Sequence, residues 1–369
     1  MAPLRGLKVL ELARILAGPW TGQVLADLGA TVIKVEAPGG DDTRTWGPPF
    51  IERDGDRSAA YFYGSNRGKM SVTADFKSAG DLAMVKDLAA GADVVIENFK
   101  LGALARFGLD YASVRATNPG VVYCSITGFG QDGPYAARAG YDYLVQGMCG
   151  LMSVTGEPDG DPQKVGVALT DIYTGLYAAV AIQSALIARG ATGTGQHIDM
   201  SLLDAGVGTL ANQAMNYLAT GTSPHRMGNA HPNIVPYQVF AVADGEVIIA
   251  AGNDAQYRRL CAVLGREALA ADPRFARNGD RVAARAVLIP LLDEALAGWR
   301  QADLLAALEA EAVPAAPINA IDAVFADPQV VARGMQIAPD GVPGVRTPIR
   351  FSAADLALDA TAPRLGQDT

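Results

Sequence analysis

The sequence predicts an α/β protein: a large domain built on a parallel sheet, followed by a smaller α+β domain. Three observations carry this. Short β-branched runs alternate with helical stretches from Lys8 to Ile126. A hairpin signal, Ala243-Asp244-Gly245, separates two apolar runs after a polar, irregular stretch. Half of the 369 residues are hydrophobic, and the length is about two to three times a typical domain of roughly 150 residues, which suits a core divided between two domains.

The elements follow in order. Lys8 to Leu12 is a short apolar-rich run, and Gly18-Pro19 opens a helical pattern through Trp20, Val24, Leu25 and Leu28. Thr31 to Val35 is a β-branched run closed by Pro38 and two glycines, completing a β-α-β unit. Further strands are expected at Asp93 to Ile96 and Val121 to Ile126, each after a helical stretch, which makes a doubly wound, Rossmann-like sheet. The chain is rich in Gly and Pro from Gly130 to about Val167. Asp171 then starts a long apolar helix, Ile172 to about Arg189, ended by Gly190. A turn, Gly190 to Gly195, leads to a short strand and a helix beginning near Asp199. Gly221 to Pro236 is irregular and holds two of the three histidines. Tyr237 to Val242 and Glu246 to Ala250 form the hairpin, Asp254 to about Ala312 is strongly helical, and Val313 to Thr369 has Pro punctuation with short strands. The expected division is 1–205 as the large domain, 206–235 as a linker, 236–325 as the small domain, and 326–369 as a return to the large domain.

Composition excludes several classes. With 30 Lys+Arg against 39 Asp+Glu the net charge is −9, so binding a polyanion such as nucleic acid is not the main task. Apolar runs such as Ala178 to Ile182 fall short of the ~20 residues a bilayer span requires, and no signal-peptide core is recognisable at the N-terminus, so a cytoplasmic protein without a membrane role is expected. Cys124, Cys149 and Cys261 are widely separated, which indicates neither a disulfide scaffold nor a zinc site, and no metal is expected.

Several constellations invite a chemical reading. Leu16-Ala17-Gly18-Pro19-Trp20-Thr21-Gly22 lies at the first strand-to-helix turn, with Glu36 where a ribose-binding acid would stand, but it is not G-x-G-x-x-G and Pro19 removes a backbone donor. A glycine turn with Pro at the first helical position is the plainer account. Asp171 follows the apolar run Val165 to Leu169 and by spacing reads first as a helix N-cap; such a carboxylate, aimed into a cleft and kept ionised by the helix terminus, could also attack an acyl carbon. His197 lies in a strand-like run and reads as a structural histidine, while His225, Arg226 and His231 lie in the polar loop. The basic residues Arg44, Arg67, Lys69, Lys77, Lys100 and Arg106 read as a charged surface or as a receptor for a phosphorylated group, with Asn98-Phe99 supplying polar and stacking contacts.

In order and spacing, these runs resemble family III CoA-transferases, the superfamily of formyl-CoA and carnitine CoA-transferases and α-methylacyl-CoA racemase. The resemblance spans nearly the whole chain, through Leu4-Arg5-Gly6-Leu7, Leu16-Ala17-Gly18-Pro19, Leu28-Gly29-Ala30, Asn66-Arg67-Gly68-Lys69, Glu97-Asn98-Phe99, Gly128-Phe129-Gly130, Gly140-Tyr141-Asp142, Thr155-Gly156-Glu157-Pro158 and Gly195-Gln196-His197-Ile198-Asp199. Asp41 to Phe50 and the loop from Arg226 to Gln238 are most similar to succinyl-CoA:glutarate-type dicarboxylate CoA-transferases.

The resemblance implies a nucleophile at Asp171, which displaces the N-cap reading, and transfer through aspartyl anhydride and aspartyl-CoA thioester intermediates. It implies CoA as co-substrate, with contacts at Leu16, Ala17, Ala74, Lys77, Asn98, Phe99, Lys100, Arg106 and Arg138. Trp46, Tyr141 and Asp142 are expected at the reacting centre, and Arg226 on the remote carboxylate of a dicarboxylic substrate. An acyl-CoA, possibly succinyl-CoA, and a carboxylic acid are the implied substrates. An interlocked homodimer is the implied assembly. The racemases of the superfamily pair the aspartate with a His where this chain has Tyr141, so transfer is favoured over racemisation, which stands as the alternative.

Overall fold

The computed structural model describes residues 1–369. Six strands form one wholly parallel sheet: β1 (Lys8–Glu11), β2 (Thr31–Glu36), β3 (Met70–Thr73), β4 (Val94–Glu97), β5 (Val122–Thr127) and β6 (His197–Ser201). Their spatial order is β3-β2-β1-β4-β5-β6, so the direction of winding reverses between β1 and β4. Both faces are covered, as a parallel sheet requires. Alternate residues feed two cores: Val9, Val94, Ile96, Val122, Cys124 and Ile126 on one side, and Leu10, Leu12, Val95 and Tyr123 on the other.

Three helices position the site. α1 (Ala17–Asp27) follows β1, α2 (Asp142–Met148) follows the Gly-rich segment after β5, and α3 (Leu169–Thr192) precedes β6. Pro19 is the third residue of α1 rather than the first; its missing N–H still falls among the amides that a helix start leaves unpaired. α3 starts two residues earlier and ends later than the sequence suggested, closed by Gly193 at φ 71°. At 24 residues it is long and apolar enough to cross a bilayer by length and composition. One face packs into the sheet core through Ala178, Ile182 and Ala185. Gly175 lets α3 meet α1 closely, since a Cβ there would lie 2.8 Å from the Ala17 carbonyl oxygen.

Basic residues that read as surface are buried in ion pairs instead. Lys69 Nζ lies 2.8 Å from Glu11 Oε2, and Lys34 Nζ lies 3.1 Å from Glu11 Oε1 and 2.9 Å from Asp41 Oδ2. Burial pushes the Lys69 ammonium down to about 8 against the pull of Glu11. Arg67 pairs with Asp27 at 2.6 Å. Arg44 grips Glu36 through Nε at 2.8 Å and Nη2 at 2.7 Å, so the acid that could have met a ribose is already satisfied. None of Arg44, Arg67 and Lys69 is a free cation for a ligand.

The chain separates into two compact units: residues 1–152, 164–223 and 328–369, and residues 153–163 and 224–327. The stretch expected to be a linker from 206 is helical up to Thr220 and belongs to the first unit. The C-terminal segment joins that unit through Ala357 N to Asp27 O and Asp368 N to Ser71 O, both at 2.9 Å. In the second unit β7 (Tyr237–Val242), β8 (Gly245–Ala250) and β9 (Ala315–Pro317) form an antiparallel sheet of order β9-β8-β7. Helices from Asp254 to Ala310 cover it, with Phe240, Val247, Ile249, Leu260, Leu292 and Leu304 in a shared core.

Candidate active site

The local structure around Asp171 departs from the sequence reading in an informative way. The N-cap of α3 is Ala168, which has no polar side chain, and Asp171 is the third helical residue. The unpaired amides are met by Asp142, the first residue of α2. Its Oδ1 accepts from Thr170 N at 2.8 Å, from Thr170 Oγ1 at 2.7 Å and from Asp171 N at 3.4 Å. A carboxylate from a neighbouring helix thus does the capping, and Asp171 is relieved of it. Burial, then the neighbouring Asp142 charge, push the Asp171 carboxyl up to about 7. These two effects outweigh the helix terminus, which alone would have kept the group fully ionised at neutral pH.

Asp171 is the one carboxylate lining a cavity of about 320 Å³ in the first unit. The walls come from the β1–α1 turn (Arg14 to Ala17), the segment after β4 (Asn98 to Leu101), the end of β5 (Ile126 to Gly128), the stretch Ala136 to Tyr141, and Leu202. Two features shape it. Gly128 and Gly140 touch backbone to backbone: a Cβ on Gly128 would lie 2.5 Å from Gly140 Cα. Ile15 holds φ at 72°, a left-handed conformation that a β-branched residue adopts only under constraint; its N–H donates to Asp41 Oδ2 at 3.2 Å.

Of the residues singled out from sequence, Leu16, Ala17, Asn98, Phe99, Lys100, Arg138, Tyr141 and Asp171 line this one cavity. Asn98 also fastens its wall, its Nδ2 donating to Arg14 O at 2.7 Å while its Oδ1 accepts from Arg14 N at 3.0 Å. The Phe99 ring stacks on Phe76 at 6.2 Å, and Phe76 meets Phe107 at 5.3 Å. Arg138 lies over the Tyr135 ring, 3.9 Å from its centroid. Lys77 and Arg106 are exposed and Ala74 is buried; none of them lines the cavity. Trp46 is exposed and packs edge-on against Tyr61 at 5.3 Å. Arg226 belongs to the second unit, where its Nε and Nη2 donate to the carbonyls of Glu157 and Gly160 at 3.1 and 2.6 Å. His197 fits its structural reading: its Nε2 lies 2.9 Å from Ser125 Oγ and its ring stacks on Tyr111 at 4.9 Å.

Three residues escaped the sequence reading. Arg14 adds a third cation to a cavity that already has Lys100 and Arg138. Tyr61 feels the site electrostatically, its hydroxyl pKa raised by burial and then by the Asp171 and Asp142 charges. Gln146, fully buried, donates through Nε2 to Asp142 Oδ2 at 2.8 Å. A cation beside a glycine turn was a visible signal for Arg14; the other two have none in sequence.

One nucleophile-type carboxyl poised near neutrality in a cation-lined cleft suits acyl transfer between an anionic carrier and carboxylic acids. The sequence profile of CoA-transferase family III matches residues 4–369. The chain is a family III CoA-transferase. A succinate–glutarate CoA-transferase of Agrobacterium fabrum is 57% identical over 99% of this chain and 93% of its own length. A succinyl-CoA:glutarate CoA-transferase of Homo sapiens is 42% identical over 100% and 84%. The crystal structure of a CaiB/BaiF family protein from Brucella suis superposes with a TM-score of 0.90 at 64% identity, covering 99% of this chain and 97% of that one. In this CoA-transferase, CoA is a co-substrate, and acyl-CoA and carboxylate are the substrate classes the family implies.

Proposed function

We propose that the enzyme moves CoA from succinyl-CoA to a dicarboxylic acid such as glutarate, with Asp171 as the nucleophile. The observation that carries this is the placement of Asp171, alone among acids, in a cavity with Arg14, Lys100 and Arg138. The relatives named for succinate and glutarate support the acid class.

In the proposed sequence, the Asp171 carboxylate attacks the donor thioester carbon, and the C–S bond breaks to give a mixed anhydride and CoA thiolate. The thiolate attacks the aspartyl carbonyl, releasing succinate and leaving an aspartyl-CoA thioester. The acceptor carboxylate attacks that thioester carbonyl, again expelling thiolate and forming a second mixed anhydride. The thiolate attacks the acceptor's acyl carbon; the new acyl-CoA leaves and the Asp171 carboxylate returns. No external acid, base or oxidant is consumed. The three cations, of which Arg14 also pairs with Asp42 at 2.9 Å, suit the phosphates of CoA and the carboxylates of both acids.

The reversal of strand order between β1 and β4 supports this reading, since the cavity residues lie at or just beyond the C-terminal ends of β1, β4 and β5, where open parallel sheets take ligands. We also propose an interlocked homodimer, which the exposed apolar side chains of Leu176, Tyr177, Val180 and Ile187 on α3 support.

The test is acyl exchange. With succinyl-CoA and glutarate the enzyme should form glutaryl-CoA and succinate in equal amounts, and with acyl-CoA alone in D2O it should place no deuterium at Cα. Deuterium uptake without an acceptor, and no CoA exchange, would instead identify an epimerase.

A further inference from the structure

One buried side chain outside the cavity lining ties α2 to the lead into α3. Gln146 lies on α2 one turn after Asp142 and is fully buried. Its amide makes three hydrogen bonds at once. Nε2 donates to Asp142 Oδ2 at 2.8 Å and to Val167 O at 3.3 Å, while Oε1 accepts from Val165 N at 2.9 Å. The irregular lead into α3 is therefore tied to the same residue that steadies the Asp142 cap. Asp142 in turn holds Thr170 and the Asp171 amide. A buried amide that satisfies two backbone groups and one carboxylate has little freedom to rotate, because any flip leaves a donor or acceptor unpaired.

We infer that Gln146 is a positioning residue for the Asp171 carboxyl, setting through Asp142 both where α3 begins and where the nucleophile stands. This rests on the reading of Asp171 as nucleophile. Its action is geometric: a displacement of about 1 Å at the attacking oxygen is enough to cost on the order of 100-fold in rate. The charged and titratable groups around it are Asp142, Asp171 and, from the segment after Ala59, Tyr61.

Two variants test it. Gln146→Met keeps volume and removes all three hydrogen bonds; it is expected to lower kcat by about 10- to 100-fold while KM for acyl-CoA stays within about threefold. Gln146→Glu keeps the acceptor for Val165 N and, when protonated, still donates to Asp142. Its kcat should approach wild type in acid and fall as pH rises and the shared proton leaves, over a range where the wild-type rate rises and then levels. A structural role alone would lower kcat by the same factor at every pH. Wild-type kcat in Gln146→Met, or a wild-type-shaped pH profile in Gln146→Glu, overturns the inference, as does failure of both variants to fold by circular dichroism. Asp171→Asn is assayed alongside. If it keeps full activity, the nucleophile reading falls; if it is inactive while the Gln146 variants behave as wild type, this inference alone falls.

Discussion

Asp171→Asn is expected to lower kcat/KM for CoA transfer by about three orders of magnitude or more, because an amide oxygen cannot open the thioester and no second carboxylate lines the cavity to replace it. CoA binding should survive, since Asp171 is one contributor among many to that wall. Stability should move the other way. A carboxyl whose pKa is raised in the folded chain favours folding below its unfolded value, and that contribution is lost as pH rises through about 7. At pH 8 the wild type therefore holds an ionised, buried carboxylate beside Asp142, whereas the asparagine variant does not. The variant should melt higher than wild type at pH 8 and show a smaller difference at pH 5. Equal melting temperatures at both values, together with retained activity, would contradict the account.

The second large effect is expected at Asp142. The nucleophile must be ionised to attack, so with Asp171 at about 7 the rate should fall roughly tenfold per pH unit below neutrality. Asp142→Asn should cut kcat at pH 8 by about 10- to 100-fold, since an amide nitrogen in place of Oδ2 would face the Gln146 donor at 2.8 Å and disturb the cap. It should also move the acid limb of kcat downward, because one of the two causes that raise Asp171 is removed. The larger cause, burial, remains, so the limb should stay above the ordinary carboxylate range. A kcat profile whose limb does not move would show that Asp142 acts on the backbone alone.

Much of the architecture was legible because period and punctuation agree: β1 is an apolar-rich run and β2, β4 and β5 are β-branched runs between helical stretches, and Tyr237–Val242 matches its expected bounds. The order of short motifs singles out Asp171, the nucleophile of the proposed mechanism, whereas spacing alone reads it as an N-cap; nothing local reveals that Asp142, 29 positions earlier, caps the helix in its place. The same limit explains the buried cations. Lys69 and Glu11 are 58 positions apart and Arg67 and Asp27 40 apart, so residue type alone assigns them to the surface. Gln146 reads as an ordinary helix residue; only the fold shows its amide meeting Val165 and Val167.

The most direct measurement is to mix the enzyme with acyl-CoA in the absence of acceptor, trap with hydroxylamine, and sequence the peptides by mass spectrometry. The mechanism predicts a hydroxamate on the Asp171 side chain, formed as hydroxylamine displaces the CoA thiol from the aspartyl thioester, and absent from Asp171→Asn. An active preparation in which Asp171 stays unmodified, or in which another residue carries the hydroxamate, would contradict it.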